Sequence, residues 1–274
     1  MPRSLGQREW ITAHTMKLPA TIRPLLGKHA LVMGGSRGIG RAVALALAHR
    51  GATTSITYYR NEGAGSATLS MLGKIGRKGE MFQFSAGQTN DAAQLFETFR
   101  KTHPRLDILV YCVGMTIFKP LAKLTPKQVL RIVDLNANGF FQSVLYGSTL
   151  MKQGASIVAL SSLGSQRVFD DYGGMGVAKA CIEAMVRYLA VELANQRIRV
   201  NAVVAGPVET SGVMAVRGYK KKSAEFKRLT PSGRIGSVRE VADVVAFLSG
   251  GESSWITGQS VVVDGGLSLR VGTV

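Results

Sequence analysis

From Gly27 onward the chain alternates between two textures. Short β-branched runs (His29–Met33, Thr54–Tyr58, Ile108–Cys112, Ser156–Leu160, Arg199–Val204 and Ser260–Val263) stand between longer Ala/Leu-rich stretches with helical spacing, among them Arg41–His49, Asp91–Lys101, Lys127–Met151 and Lys179–Leu193. Apolar runs of roughly four to six residues suit strands buried on both faces, and the intervening segments suit crossover helices. The β-α-β unit recurs six or seven times. This predicts an α/β fold: a doubly wound parallel sheet with helices on both faces, as a single domain over residues 28–274. Residues 1–27 read differently, mixing Arg3, Arg8, Lys17 and Arg23 with Trp10, Ile11 and Pro19 without sustained periodicity. They are expected to be a flexible N-terminal extension. A transit peptide, a free arm and an overlong start with Met16 as the initiator all fit its basic, nearly acid-free composition.

Composition narrows the class. The 274 residues are 46% hydrophobic and 19% charged with 32 glycines, which excludes a disordered chain, a coiled coil and a collagen-like repeat. No uncharged apolar run reaches the ~18–20 residues that span a bilayer. Cys112 and Cys181 lie far apart and form no Cys-x-x-Cys pair, which argues against a disulfide framework or zinc ribbon and for a reducing, cytoplasmic compartment. His14, His29, His49 and His103 are scattered without metal-ligand spacing, so they are read as structural and no metal is expected. Thirty-four Lys and Arg against 17 Asp and Glu leave a net charge of +17. Such a field attracts phosphorylated cofactors, acidic proteins or other polyanions, or is simply a solvated basic surface.

The first strand–helix junction carries Met33-Gly34-Gly35-Ser36-Arg37-Gly38-Ile39-Gly40. Glycines at Gly34-x3-Gly38-x-Gly40 permit a tight turn and close approach of backbone N–H groups to a pyrophosphate at a helix N-terminus. Placed between a buried strand and an Ala-rich helix, this stretched glycine fingerprint predicts dinucleotide binding through residues 34–40. Roughly twenty residues further on, an NAD site would place an acid on the adenosine ribose. Here the text is Tyr58-Tyr59-Arg60-Asn61. Arg60 and Arg37 would clamp a 2′-phosphate, so NADPH is the expected cofactor.

Four further segments complete a resemblance to the short-chain dehydrogenase/reductase superfamily, which implies a Rossmann-like fold from about Gly27 to the C-terminus. They are Tyr111-Cys112-Val113-Gly114, Asn136-Ala137-Asn138-Gly139, Ser161-Ser162-Leu163-Gly164 and Gly206-Pro207-Val208-Glu209-Thr210. The resemblance implies that they respectively support the cofactor, brace the active-site lysine through water, flank the substrate and cover the nicotinamide. Two departures stand out: Tyr-Cys-Val-Gly replaces the usual Asn-Asn-Ala-Gly, and Ser85-Ala86 replaces an Asp-Val at the adenine.

The catalytic pair departs further. Most members carry Tyr-x3-Lys, but the position four before Lys179 is Met175, and the nearest tyrosine is Tyr172, giving Tyr-x6-Lys. On a helix the extra three residues shift a side chain about 4.5 Å along the axis, while a separation of seven keeps both on one face. In conjugate reduction of an enoyl thioester, hydride goes to C3 while charge develops on the thioester oxygen two carbons away, so the stabilising hydroxyl must lie farther out than in a ketone reductase. The runs Leu160–Arg167 and Tyr172–Leu193, and the terminal Val263-Asp264-Gly265-Gly266, resemble the NADPH-preferring bacterial enoyl-acyl-carrier-protein reductases. By that resemblance Tyr172 is the acid or enolate stabiliser, and Lys179 holds the nicotinamide ribose and depresses the tyrosine pKa. Ser162 stands where many of these enzymes have a second tyrosine.

The stretch Ser211–Thr230, with Arg217, Lys220, Lys221, Lys222, Lys227 and Arg228, follows the nicotinamide-covering segment and is expected to be a substrate lid. Its lysines are read as a solvated face or a dock for an acidic acyl carrier protein or coenzyme A phosphate. The helix from Ala178 to Ala194 carries apolar residues on more than one face, which by resemblance implies a homodimer or homotetramer. The runner-up activity is a 3-oxoacyl or other carbonyl reductase. A non-catalytic cofactor sensor or nucleic-acid binder is disfavoured because Tyr172 and Lys179 are both present and no nucleic-acid module is recognisable.

Overall fold

The computed structural model describes residues 23–88, 90–210 and 218–270. Its strands are β1 (His29–Met33), β2 (Thr53–Tyr58), β3 (Met81–Gln83), β4 (Leu106–Tyr111), β5 (Met151–Ser162), β6 (Arg199–Ala205) and β7 (Ser260–Val263). They form one parallel sheet in the order β3-β2-β1-β4-β5-β6-β7. The helices are α1 (Gly38–His49), α2 (Glu62–Lys74), α3 (Asp91–Thr102), α4 (Pro126–Val133), α5 (Gly139–Gly147), α6 (Gly173–Glu192), α7 (Tyr219–Leu229) and α8 (Val238–Ser249).

The two-residue period of a strand sends neighbours to opposite faces, and here both faces are covered. Leu31 and Met33 of β1 join a core with Phe96 and Phe99 of α3, Phe140 of α5 and Ile182 and Val186 of α6. Ala30 and Val32 join another with Val43 and Leu47 of α1 and Val241 and Val245 of α8. The strand order reverses between β1 and β4. That switch point opens a crevice at the carboxyl ends of the strands, where α/β sheets bind ligands.

Four details differ from the sequence expectation. β3 is a seventh strand of three half-exposed residues, too short to register as an apolar run. β5 begins at Met151 rather than Ser156, because the register to β4 shifts between Leu106 and Ile108. The helical stretch Lys127–Met151 is broken: α4 gives way to a π-helical turn over Asp134–Asn138 before α5. Finally, Leu25 is 1% exposed and its amide donates to Arg50 O, so residues 23–27 belong to the folded unit rather than to the extension. Residues 1–22 lie outside the described residues.

Candidate active site

The phosphate loop leaves β1 at Met33 and enters α1 at Gly38. Gly34 and Gly38 have φ of +77° and +55°, the left-handed region that glycine enters without penalty. A Cβ on Gly40 would lie 2.2 Å from Gly34 O, so the loop closes on itself only with glycine there. Buried Thr57 of the adjacent β2 accepts the Gly34 amide at 2.8 Å. Arg41 ties the loop to the next unit, donating to Ser36 O, Thr68 Oγ1 and Ala64 O. Asn61 caps α2 by accepting from Ala64 N, and just before it the exposed Arg60 guanidinium lies 4.8 Å from the Tyr59 ring centre. Arg37, also exposed, is the N-cap residue of α1. Ile39 packs its side chain against the α1–α8 core.

Across the switch point, β6 ends at Ala205 and Gly206–Thr210 turns back over the loop. Gly206 sits hard against Asp264, a Cβ there lying 2.7 Å from the aspartate Cβ, and Val208 is anchored in the core. A Cβ on Gly38 would lie 3.7 Å from Thr210 Cγ2. Thr210 thus lies against Gly38 of the loop, while Gly206, Pro207 and Val208 lead the chain from β6 to that contact. The glycine-lined loop, its following helix N-terminus and this covering segment fit a dinucleotide pyrophosphate.

The catalytic candidates gather at the end of β5. Asp171, with φ of +62°, turns the chain so that Tyr172 becomes the N-cap of α6 instead of a residue within it. The Tyr172 ring lies on Gly164, where a Cβ would come within 2.4 Å, and its hydroxyl donates to Ser162 Oγ at 3.2 Å. Lys179, buried on α6, donates to Leu160 O at 2.7 Å. Asn136 is fully buried in the π-turn; its Nδ2 donates to Met115 O and Ile132 O, while its Oδ1 has no hydrogen-bond partner. A Cβ on Gly114 would lie 3.2 Å from that oxygen and 3.9 Å from both Lys179 Nζ and Met175 Cε. Gly114, Asn136, Lys179 and Met175 therefore border one small space. An unpartnered buried acceptor beside a buried ammonium marks it as polar.

Burial pulls the Lys179 ammonium down to about 8, opposed by the nearby Cys112 and Glu183. Burial likewise pushes the Cys112 thiol up to about 12, opposed by Lys179. Tyr172 corrects the sequence expectation: its pKa is raised by burial, and the opposing pull comes from the Ser162 hydroxyl, not from Lys179. The lysine is turned to Leu160 O, and desolvation of a phenolate outweighs one neutral hydrogen bond.

The sequence reading overlooked Thr57, Arg41, Tyr111 as an anchor, and Glu183. Thr57 and Glu183 did carry a signal, being polar residues inside apolar runs. Of the expected lid, residues 211–217 lie outside the described residues. The remainder forms α7, whose Lys220, Lys221, Lys222, Lys227 and Arg228 are exposed.

A family profile described as Enoyl-(Acyl carrier protein) reductase matches residues 34–268. A 1-cyclohexenylcarbonyl-CoA reductase of Streptomyces collinus is 37% identical over 88% of this chain and 86% of its own length. An NADH-dependent enoyl-acyl-carrier-protein reductase of Nostoc is 34% identical over 89% of this chain and 98% of its own. A short-chain dehydrogenase/reductase of Serratia marcescens superposes with a TM-score of 0.84 at 30% identity, covering 89% of this chain and 99% of that structure. The chain belongs to the short-chain dehydrogenase/reductase superfamily, in its enoyl-reductase-like family, and is an NAD(P)H-dependent oxidoreductase.

Proposed function

We propose that this reductase uses NADPH to saturate the carbon–carbon double bond of an enoyl thioester, in fatty-acid or related acyl biosynthesis. The observation that carries the reading is the catalytic constellation: Met175 occupies the position four before Lys179, while Tyr172, set back to the helix N-cap, presents its hydroxyl beside Ser162. The names of the Streptomyces and Nostoc relatives describe the same bond type, a double bond conjugated to a thioester carbonyl. Arg60 and Arg37, exposed where the adenosine ribose belongs, support NADPH, although the Nostoc relative is named for NADH.

Bound NADPH would supply the hydride. The chain supplies the rest. Tyr172, kept protonated by burial, would donate to the enolate oxygen, and Ser162 Oγ would hold the phenol in line. Lys179 would bind the ribose hydroxyls, with Asn136 Oδ1 on its flank. The rings of Phe118 and Phe169, centred 6.2 and 6.3 Å from that of Tyr172, and Phe226, 5.8 Å from Phe169, make an apolar bed for the acyl group. The exposed Tyr188 and Val191 on α6, with Leu130 and Leu145, support self-association through this side as a dimer or tetramer.

The second reading is carbonyl reduction, favoured by the Ser162–Tyr172 hydrogen bond, which would equally polarise a ketone. Steady-state NADPH oxidation with crotonyl and acetoacetyl thioesters separates the two. Efficient reduction of acetoacetyl thioesters with none of crotonyl thioesters refutes the enoyl reading.

A further inference from the structure

Glu183 is a buried charge that the mechanism above does not use. It lies on α6 one turn beyond Lys179 and is 6% exposed, on a helix face otherwise made of Ile182, Val186 and Ala190. Its Oε1 accepts from Ser161 Oγ and Ser165 Oγ, both at 2.5 Å, and its Oε2 accepts from Gln166 Nε2 at 3.1 Å. Those donors flank Ser162 on both sides in the chain. Ser165 Oγ shares its single hydrogen between Glu183 and Ser162 O, 2.8 Å away, so the bonds to Glu183 tie down the turn from which Ser162 meets Tyr172.

We infer that Glu183 is a positioning residue with two tasks: it clamps the Ser161–Gln166 turn so that Ser162 holds the Tyr172 hydroxyl, and it sets a negative charge beside Lys179. A purely packing role does not account for the choice of side chain. An apolar residue would fill the space without desolvation cost, and burying a carboxylate is tolerated only where donors and a nearby cation compensate it. Here three donors converge on it, and the cation is the lysine of the site. The ionisable groups facing Lys179 are Glu183 from its own helix and Cys112 at the end of β4. Glu183 faces the three donors and acts on Lys179, one turn back on the same helix, through its charge, and Arg187 donates only to its backbone carbonyl. The charge raises the Lys179 pKa against the downward pull of burial.

The inference rests on Tyr172 and Lys179 being the working pair. Failure of that assignment shows separately, as full activity in Tyr172→Phe, whereas every variant below keeps both residues. Glu183→Gln retains the shape and removes the charge. NADPH binding to it, followed by nicotinamide fluorescence across pH, is expected to weaken at a lower pH than in the wild type, because removing the charge lowers the Lys179 pKa further. Ser161→Ala/Ser165→Ala retains the charge and loosens the turn. Its kcat is expected to fall about tenfold to a hundredfold, the scale of a misplaced catalytic group, with the binding limb unmoved. If Glu183→Gln does not fold, Glu183→Asp replaces it and must keep the limb while losing kcat. An unmoved limb in Glu183→Gln, an Asp variant with unchanged kcat, or a double-serine variant that loses only thermal stability, overturns the inference.

Discussion

Met175 shows how one side chain narrows a reaction. It is buried beside Gly114 and Lys179 at the position four before the lysine, and it has no proton to give. Tyr172, held protonated by burial, is the nearby phenol with a hydrogen to donate. Tyr172→Phe should therefore lower kcat for an enoyl thioester about 10²–10³-fold, the cost of removing a donor that strengthens as charge develops, and leave the NADPH Kd nearly unchanged. Met175→Tyr should confer weak reduction of acetoacetyl thioesters, measured against the same enzyme concentration of wild type. At the other end of the cleft, Arg60 is exposed and stacked on Tyr59. Losing one charge-assisted contact costs ~1.5–3 kcal/mol, so Arg60→Ala should raise the NADPH Kd about tenfold to a hundredfold and spare NADH. Fluorescence titration with both cofactors decides it, and equal changes would remove Arg60 as the discriminator.

Among the elements, the π-turn between α4 and α5 positions the site most directly. Its extra residue per turn rotates Asn136 inward, and Tyr111 at the end of β4 holds it there by donating to Leu135 O at 2.8 Å. Gly139 is glycine for the same reason, since a Cβ would meet the Tyr111 hydroxyl. Tyr111→Phe removes this hydrogen bond, which costs ~0.5–1.5 kcal/mol. The Tm should drop by about 2–4 °C per kcal/mol for a chain of this size, and kcat should fall with it as Asn136 loosens. An unchanged kcat would reduce Tyr111 to packing. At the opposite end of the strands, His103 after α3 lies between Ser55, the His29 ring, Phe99 and Glu80. Burial and His29 lower its pKa, with Glu80 opposing. The unfolded chain then binds this proton more readily than the folded one, so stability is full above the free histidine value of about 6.5 and declines as pH falls below it. Urea unfolding of His103→Gln should show a flatter loss of stability on acidification than wild type.

For the whole molecule, the excess of positive charge has one concentrated expression near the site, the exposed lysines of α7. Lys220, Lys221 and Lys222 stand together, exposed, on α7, and we propose that they dock an acidic acyl carrier. Replacing all three with Ala should raise KM for an acyl-carrier substrate more than for a short N-acetylcysteamine thioester. Added salt should erase the difference, because exposed charges are screened over about 8–10 Å. Equal effects on both substrates would return the cluster to a solvated surface. Among the described residues no helix is long and apolar enough to cross a membrane.

Much of this protein was legible in the order of its residues. The alternation of buried runs and amphipathic stretches determines a doubly wound sheet, because a strand covered on both faces has no polar side to show. The glycine loop is partly local: the left-handed torsions of Gly34 and Gly38, and the clash that a Cβ on Gly40 would make with Gly34 O, lie within the motif itself. The Tyr-x6-Lys spacing and the methionine inside it are also readable, but not the reach of the tyrosine, because Tyr172 caps α6 rather than standing within it. What only the tertiary structure decided lies between segments distant in the chain. The Tyr172 hydroxyl meets Ser162 because a left-handed Asp171 ends the turn before α6, and Tyr172 is made a weaker acid by the packing around it. Thr57 and Arg41 lock the phosphate loop from β2 and α1, and Glu183 gathers Ser161, Ser165 and Gln166 from across the core. Desolvation and hydrogen-bond partnership depend on which groups are brought together in space, and no local pattern of residues encodes that.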